Sequence, residues 1–328
     1  TLNRLFMAVE LLHLSKDDWN GLKLGLIEEL EAHLHPQVQL KVINSLQKQE
    51  DIQLILTTHS PNLASQIELS NLILCKNSNA FPMGDSYTEL NEDNYKSNLF
   101  FANGVILVEG WSEQLLIPIL AKKLGKDLIK NEVSIINIGN LGFMHYYKIF
   151  LRRNNINAMG IPVAVVKDLD LREYQLSDTP TKKSKDSKYN LKRVENYQQK
   201  CIDSLEKKKS NIFEIDSKDN GEKSQEVVRP FIAPEWTLEW CLFRSDYLGS
   251  LFEEALKEVH PRIFDEEDDI EMKLAERLIK SNLNINKTET IYKLNEKIEN
   301  NKSINIENIS DDDTISYLIE AIKYVCRN

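Results

Sequence analysis

Three carboxylates stand where short apolar runs stop. Glu109 follows Gly104-Val105-Ile106-Leu107-Val108, while Asp168 and Asp170 follow Ile161-Pro162-Val163-Ala164-Val165-Val166-Lys167. β-Branched runs of this length read as strands buried on both faces. Acids at their C-terminal ends sit where open α/β sheets bind ligands. Carboxylates converging there repel one another unless a cation neutralises them, and hard oxygen donors suit Mg2+ or Mn2+. In Asp-x-Asp, strand alternation puts both side chains on one face, so both can address one metal site. A second group lies nearer the N-terminus. The apolar residues 22–27 end in Glu28-Glu29, and residues 53–58 end in His59-Ser60-Pro61. Two acids and a histidine on neighbouring strand tips can orient Mg2+, polarise an attacking water and contact a terminal phosphate.

Period and punctuation give the elements that must carry these groups. Residues 22–27 and 53–58 are expected to be strands flanking a helix with apolar spacing at Val38, Val42, Ile43 and Leu46. A short helix over 62–67 and a strand over 72–74 come next. After Glu109-Gly110, Trp111-Ser112-Glu113 opens a helix with apolar positions Leu115, Leu116, Ile119, Leu120 and Leu124, closed by Gly125. Residues 133–138 read as a strand turning at Gly139-Asn140-Leu141-Gly142, followed by a helix from Phe143 to about Arg153 and a third strand over 161–166. This β-α-β-α-β rhythm implies an α/β fold with a parallel sheet and right-handed crossovers. Between Thr181 and Lys209 the chain is rich in lysine (Lys182, Lys183, Lys185, Lys188, Lys192, Lys207, Lys208, Lys209). That stretch reads either as a solvated insertion, with one helical run over 197–205, or as a basic arm touching phosphates beside the metal site. The acidic run Asp265-Glu266-Glu267-Asp268-Asp269 at a helix start reads as structural. His13, His145 and His260 have no partner at ligand spacing and read as ordinary.

Composition narrows the function classes. The 328 residues leave room for about two domains. With 41% hydrophobic and 28% charged residues, the chain can bury a real core. The mean hydropathy is −0.40 and no apolar run nears the ~20 residues that cross a bilayer. No signal segment opens the chain, and the four cysteines lie far apart without a CxxC pair, which fits a reducing cytoplasm. Against 51 Asp and Glu there are 41 Lys and Arg, a net charge of −10. Nucleic acid cannot be gripped by bulk charge, and any such binding needs a local basic patch or metal ions.

The segment Glu28-Glu29, Glu31-Ala32-His33-Leu34-His35-Pro36 and His59 resembles the Walker B, D-loop and switch-histidine region of the ABC-type ATPases found in overcoming-lysogenization-defect (OLD) nucleases. By that resemblance Glu28 takes the place of the usual Walker B Asp, Glu29 that of the catalytic glutamate and His59 that of the switch histidine. No G-x-x-x-x-G-K-[ST] loop occurs in the chain. The resemblance therefore implies that residues 1–95 are the C-terminal part of an ATPase domain, with Walker A, Q-loop and signature motif ahead of Thr1. ATP turnover is then expected of a longer protein, not of this stretch alone.

V-I-L-V-E-G-x-S-E at 105–113, a glycine-bearing second turn, and V-V-x-D-x-D at 165–170 together resemble a TOPRIM domain, the metal-dependent Rossmann-like fold shared by type II topoisomerases, bacterial primases and OLD-family nucleases. The ATPase-like segment upstream selects the OLD family. So do Thr237-Leu238-Glu239, similar to the stretch supplying another acid, and Lys287-Thr288, similar to the segment bearing a catalytic lysine. Residues 96–328 are thus expected to form a TOPRIM nuclease domain with an insertion over about 175–230 and a helical C-terminal region, in which residues 317–322 resemble the closing helix. The resemblance implies Glu109, Asp168 and Asp170 as catalytic metal ligands, aided by Glu113 and Glu239 around two Mg2+ or Mn2+ ions, with Lys287 neutralising charge on the phosphorane. Read without it, Glu239 is equally an acid favoured at a helix N-terminus, Lys287 a solvated lysine, and Lys280 its rival.

These expectations converge on a metal-dependent DNA endonuclease regulated by an ABC-type ATPase, similar to OLD-family and Gabija-type anti-phage nucleases. DNA is its expected partner, together with a second copy of the chain or a larger homo-oligomer and a defence-system protein such as a helicase; membranes are not. The alternative is a non-catalytic nucleic-acid-binding ATPase or sensor whose TOPRIM site has degenerated.

Overall fold

The computed structural model describes residues 21, 23–29, 31–32, 34–46, 52–85, 101–139, 143–151, 159–176, 190–217, 227–264, 269–280, 283–301 and 309–326. His33, the second half of the Gly139 turn, the lysines at 182–188 and most of the acidic run at 265–269 lie outside these residues. The chain divides into two compact units, one from residues 1–85 and 90–101, the other from 86–89 and 102–328.

In the first unit, β1 (Lys23–Ile27) pairs in parallel with β2 (Ile52–Leu56), and α1 (Pro36–Leu46) joins them. Ile43 and Leu63 form the buried centre, with Ile27, Val42, Leu54 and Leu56 against them. Ser60 caps α2 (Pro61–Ala64) through its side chain, and Pro61 occupies the first helical turn, where its missing N–H costs nothing. The helix ends at Ala64, sooner than the expected 67. The expected strand near 72–74 is half of an antiparallel hairpin, β3 (Ile73–Lys76) with β4 (Asn79–Pro82), in a sheet of its own. Its turn, Asn77-Ser78, holds both residues at positive φ, the geometry of a two-residue hairpin loop.

The second unit is built on a four-stranded parallel sheet. β5 (Gly104–Val108), β6 (Val133–Asn137), β7 (Val163–Lys167) and β10 (Val228–Ile232) lie in the order β10-β7-β5-β6. Every residue of β5 is buried, as the continuous apolar run requires of a central parallel strand. Helix α3 (Trp111–Lys123) crosses from β5 to β6, and Gly125 ends it in the left-handed conformation. Helix α4 (Phe143–Tyr147) is followed by a 3-10 turn, Lys148–Phe150, where a continuous helix to about Arg153 is expected from sequence. Strand β10 lies partly within the range read as an insertion. Its Pro230 removes a ladder donor, which an edge strand tolerates.

The insertion has a folded base. β8 (Tyr174–Leu176) pairs antiparallel with β9 (Leu191–Arg193), and α5 (Tyr197–Ser217) leads into β10. Arg193 lies 2.8 Å from buried Glu173, whose other oxygen accepts from the Trp240 indole at 2.9 Å. The remaining helices are α6 (Leu238–Arg244), α7 (Gly249–Val259), α8 (Ile270–Ile279), α9 (Lys287–Asn300) and α10 (Ser316–Val325). Helix α10 packs on β5, β7 and β10. At Gly104 a side chain is sterically excluded, because a Cβ would meet the Val325 carbonyl oxygen at 2.9 Å. No described helix is long and apolar enough to cross a membrane, and all four cysteines are free.

Candidate metal centre

Because β5 and β7 are neighbours, the residues just past their C-terminal ends meet. Glu109, Asp168 and Asp170 each offer a carboxylate oxygen, and these oxygens lie within 4.8 Å of one another. Asp-x-Asp achieves this differently from strand alternation. The strand stops at Lys167, and Asp170 takes a left-handed backbone, φ +58°, a conformation Asp tolerates better than most residues. The Asp170 N–H donates to the Trp236 carbonyl at 2.8 Å, fixing this turn to the segment that follows β10. Leu169 between them points into a separate small core with Tyr197, Cys201 and Ile232.

Two further acids complete the group. Glu113 lies in the first turn of α3 and Glu239 in that of α6, and both are buried. Thr237 caps α6 with its side chain, and Asp168 accepts the next free amide, Leu238 N–H, at 2.8 Å. Glu239 accepts from the Ser112 hydroxyl at 3.2 Å and from the Lys287 ammonium at 2.9 Å. Lys287 is the first residue of α9, capped by the Asn286 side chain. It therefore faces the acids, while its rival Lys280 pairs with Glu276 at 2.6 Å, one turn back on its own helix.

Electrostatics follow from packing. Burial, then Glu239 and Glu109, push the Glu113 carboxyl up to about 7. Burial together with Glu239, Glu113 and Glu109 raises Asp168 well above the usual carboxylate range. For Glu109, burial is the larger influence and Asp170 adds to it, outweighing the opposing Lys167. Burial works against the Lys287 ammonium, but Glu239, Asp168 and Glu113 more than offset it and hold the lysine charged. A further signal is the Tyr317 hydroxyl, buried and with no partner among the described residues, its pKa raised by burial first, then by Cys241, Asp168, Glu113 and Glu239. Converging hard oxygen donors with excess negative charge and an orphaned hydroxyl fit a divalent cation.

Sequence reasoning missed Lys167 and the role of His260, and it named Lys208 only within a basic stretch that could lie beside the metal site. Lys167 sits 3.5 Å from Glu109 and over the Phe143 ring. Lys208, on α5, reaches Asp170 at 2.9 Å and the Asp168 carbonyl at 3.1 Å. His260, read as ordinary, accepts the Asn286 N–H at 3.0 Å and so braces the residue before Lys287. Lys167 adjoins Asp168 in sequence and was legible; the other two depend on tertiary packing.

In the first unit, Glu28 and Glu29 follow β1 and His59 follows β2, all exposed. Glu29 has a left-handed backbone, φ +44°, and its N–H donates to the Thr57 hydroxyl at 3.1 Å. Glu31, named in the sequence only as part of the resembling segment and given no role there, accepts the His59 N–H at 2.5 Å. Burial opposes its charge, but bonds from its own amide, Thr58 and His59 keep its pKa low.

An α/β chain whose parallel strands end in these acids matches two families. Residues 1–64 match the AAA ATPase domain, and residues 100–170 match the overcoming lysogenization defect protein-like TOPRIM domain. The chain thus joins an AAA-type ATPase segment to a TOPRIM domain, domain types that generally imply the use of ATP and of a divalent metal. Its TOPRIM domain is of the OLD type. The chain is 26% identical over 354 residues to the endonuclease GajA of Bacillus cereus strain HuB5-5, covering 90% of this chain and 47% of GajA. It thus spans about half the length of that relative. A 63-residue stretch, 19% of this chain and 12% of the relative, is 41% identical to the retron Ec83 probable ATPase of Escherichia coli. Among solved structures, the C-terminal region of the Burkholderia pseudomallei OLD protein is 20% identical, with a TM-score of 0.39 over 69% of this chain and 98% of that one.

Proposed function

We propose that this chain carries the cleavage centre of a metal-dependent DNA endonuclease regulated by an ATPase, working in anti-phage defence. The observation that carries the reading is the meeting of Glu109, Asp168 and Asp170 at one point of the sheet edge, with Lys287 held beside them by Glu239. Glu109, Asp168 and Asp170 would hold two Mg2+ or Mn2+ ions, with Glu113 and Glu239 completing the anionic set. When bound, such ions supply an activated water and neutralise the leaving 3′-oxygen of a phosphodiester. The protein's own share is orientation. The Leu238 amide steadies Asp168, Ser112 and Lys287 steady Glu239, and the charged Lys287 meets negative charge developing on the phosphate. In the first unit Glu28, Glu29 and His59 are assigned to ATP, at the Mg2+, water and γ-phosphate positions, within the longer ATPase. A homodimer or larger assembly follows from the pairing of such ATPase domains. The defence role, a helicase-like partner and a cytoplasmic site of action rest on likeness to GajA and the OLD nucleases.

Incubating the protein with supercoiled plasmid and Mg2+ or Mn2+ tests this directly. Nicked or linear product, blocked by chelation, is expected. Intact plasmid under both metals, with DNA still bound, would instead favour the non-catalytic nucleic-acid sensor.

A further inference from the structure

The acid cluster already holds a cation of its own. Helix α5 presents Tyr197, Cys201, Leu205 and Lys208 on one stripe, at the spacing that aligns side chains along a helix. The first three pack with Leu169, Leu171 and Ile232. The Tyr197 hydroxyl donates to the Leu171 carbonyl and accepts from the Trp236 N–H, both at 3.1 Å. The helix is thereby pinned to the two segments that flank the acids: the turn after Asp170 and the approach to Glu239. Lys208, next along the stripe, places its ammonium 2.9 Å from the Asp170 carboxylate and 3.1 Å from the Asp168 carbonyl. One carboxylate and one carbonyl oxygen are the donors a hard cation takes. As a stability device the contact is weak, since Asp170 is 64% exposed and such pairs contribute little. Its consequence lies in where the charge sits.

We propose that Lys208 is a built-in counter-ion of the metal centre: it occupies a cation position beside Asp170, yields it when a divalent ion binds, and then serves as a DNA-phosphate contact. The inference rests on the nuclease reading above. A divalent ion at Asp170 competes with the Lys208 ammonium for the same carboxylate and adds repulsion against it at this range. The freed ammonium, on a helix whose neighbouring Lys207 and Lys209 are exposed, has phosphate as its natural anion. The insertion would then couple metal occupancy to DNA grip.

Mn2+ binding, read from the loss of the free-ion electron paramagnetic resonance signal, needs no cleavage. Lys208→Gln should bind Mn2+ at least about tenfold more tightly than the parent protein, and Lys208→Arg, which keeps the charge, should stay near the parent. With Ca2+ present, the salt dependence of Lys208→Gln binding to a short duplex should be shallower by about one unit of slope. Equal or weaker Mn2+ binding by Lys208→Gln, or an unchanged salt slope, would overturn the proposal. A parent protein that binds no Mn2+ would overturn the metal-centre reading itself, and this inference with it.

Discussion

The two units use one local device and surround it differently. In each, a parallel strand ends in acids, and one acid is held at positive φ with its N–H hooked to the chain beyond a neighbouring strand: Glu29 to Thr57, Asp170 to Trp236. Around the first, within this stretch of chain, Leu26 is 70% and Ile55 52% exposed and Glu28 and Glu29 are exposed, and the reading above assigns further ATPase segments to the same domain. Around the second, β5 is sealed on both faces, and α3, α6 and α9 bring Glu113, Glu239 and Lys287 in from three directions. The lesson is that acids at a strand tip couple to one another where enclosing helices take water away. Desolvation makes the Asp168 and Glu113 carboxyls respond to their neighbours.

The sharpest test of that contrast is Asp168. Asp168→Ala and Asp168→Asn should both abolish plasmid cleavage. They should differ in stability, since Asn keeps an oxygen for the Leu238 N–H and Ala leaves it orphaned, a gap of about 1 kcal/mol in denaturant unfolding. Glu29→Ala, at the solvent-exposed acid, should shift unfolding by no more than ~0.5 kcal/mol. A large Glu29 effect would break the comparison. Next in size is Lys287→Ala, expected to lower single-turnover cleavage roughly a hundredfold, about 3 kcal/mol, with little change in DNA affinity. Lys280→Ala, its charge already engaged by Glu276, should leave the rate unchanged. If Lys280 carried the defect, the role assigned to α9 would be wrong.

A smaller effect concerns pH. A carboxyl raised from 4.5 to about 7 in the fold stabilises the metal-free protein fully below 4.5, and that contribution is lost as pH rises through about 7. Metal-free protein should therefore melt at lower temperature at pH 8 than at pH 5.5, and Glu113→Gln should flatten the difference. Mn2+ should raise the melting temperature more at pH 8, because the ligands must give up protons to bind. A Mn2+ shift equal at both pH values would count against a desolvated site.

Much of this was legible in the chain. The runs ending in Glu109 and Asp168 predicted adjacent parallel strands, and Trp111-Ser112-Glu113 predicted the start of α3. The illegible parts share a cause. Pro230 disguised β10, because proline marks a strand only when that strand is an edge, and edge position belongs to the assembled sheet. The left-handed turn at Asp170 is set by Trp236, distant in sequence. Lys208 and His260 gain their positions from helix packing that no local spacing encodes.

Gly104 carries a consequence in time. Its missing side chain lets the end of α10 lie flush on the start of β5, joining opposite ends of the second unit. During synthesis the central strand waits, one flank uncovered, until residues 316–325 follow it more than 200 residues later. Closures between such distant segments are slow and come late in folding. Glu109, at the tip of β5, therefore gains the backing of α10 only when translation has passed residue 325.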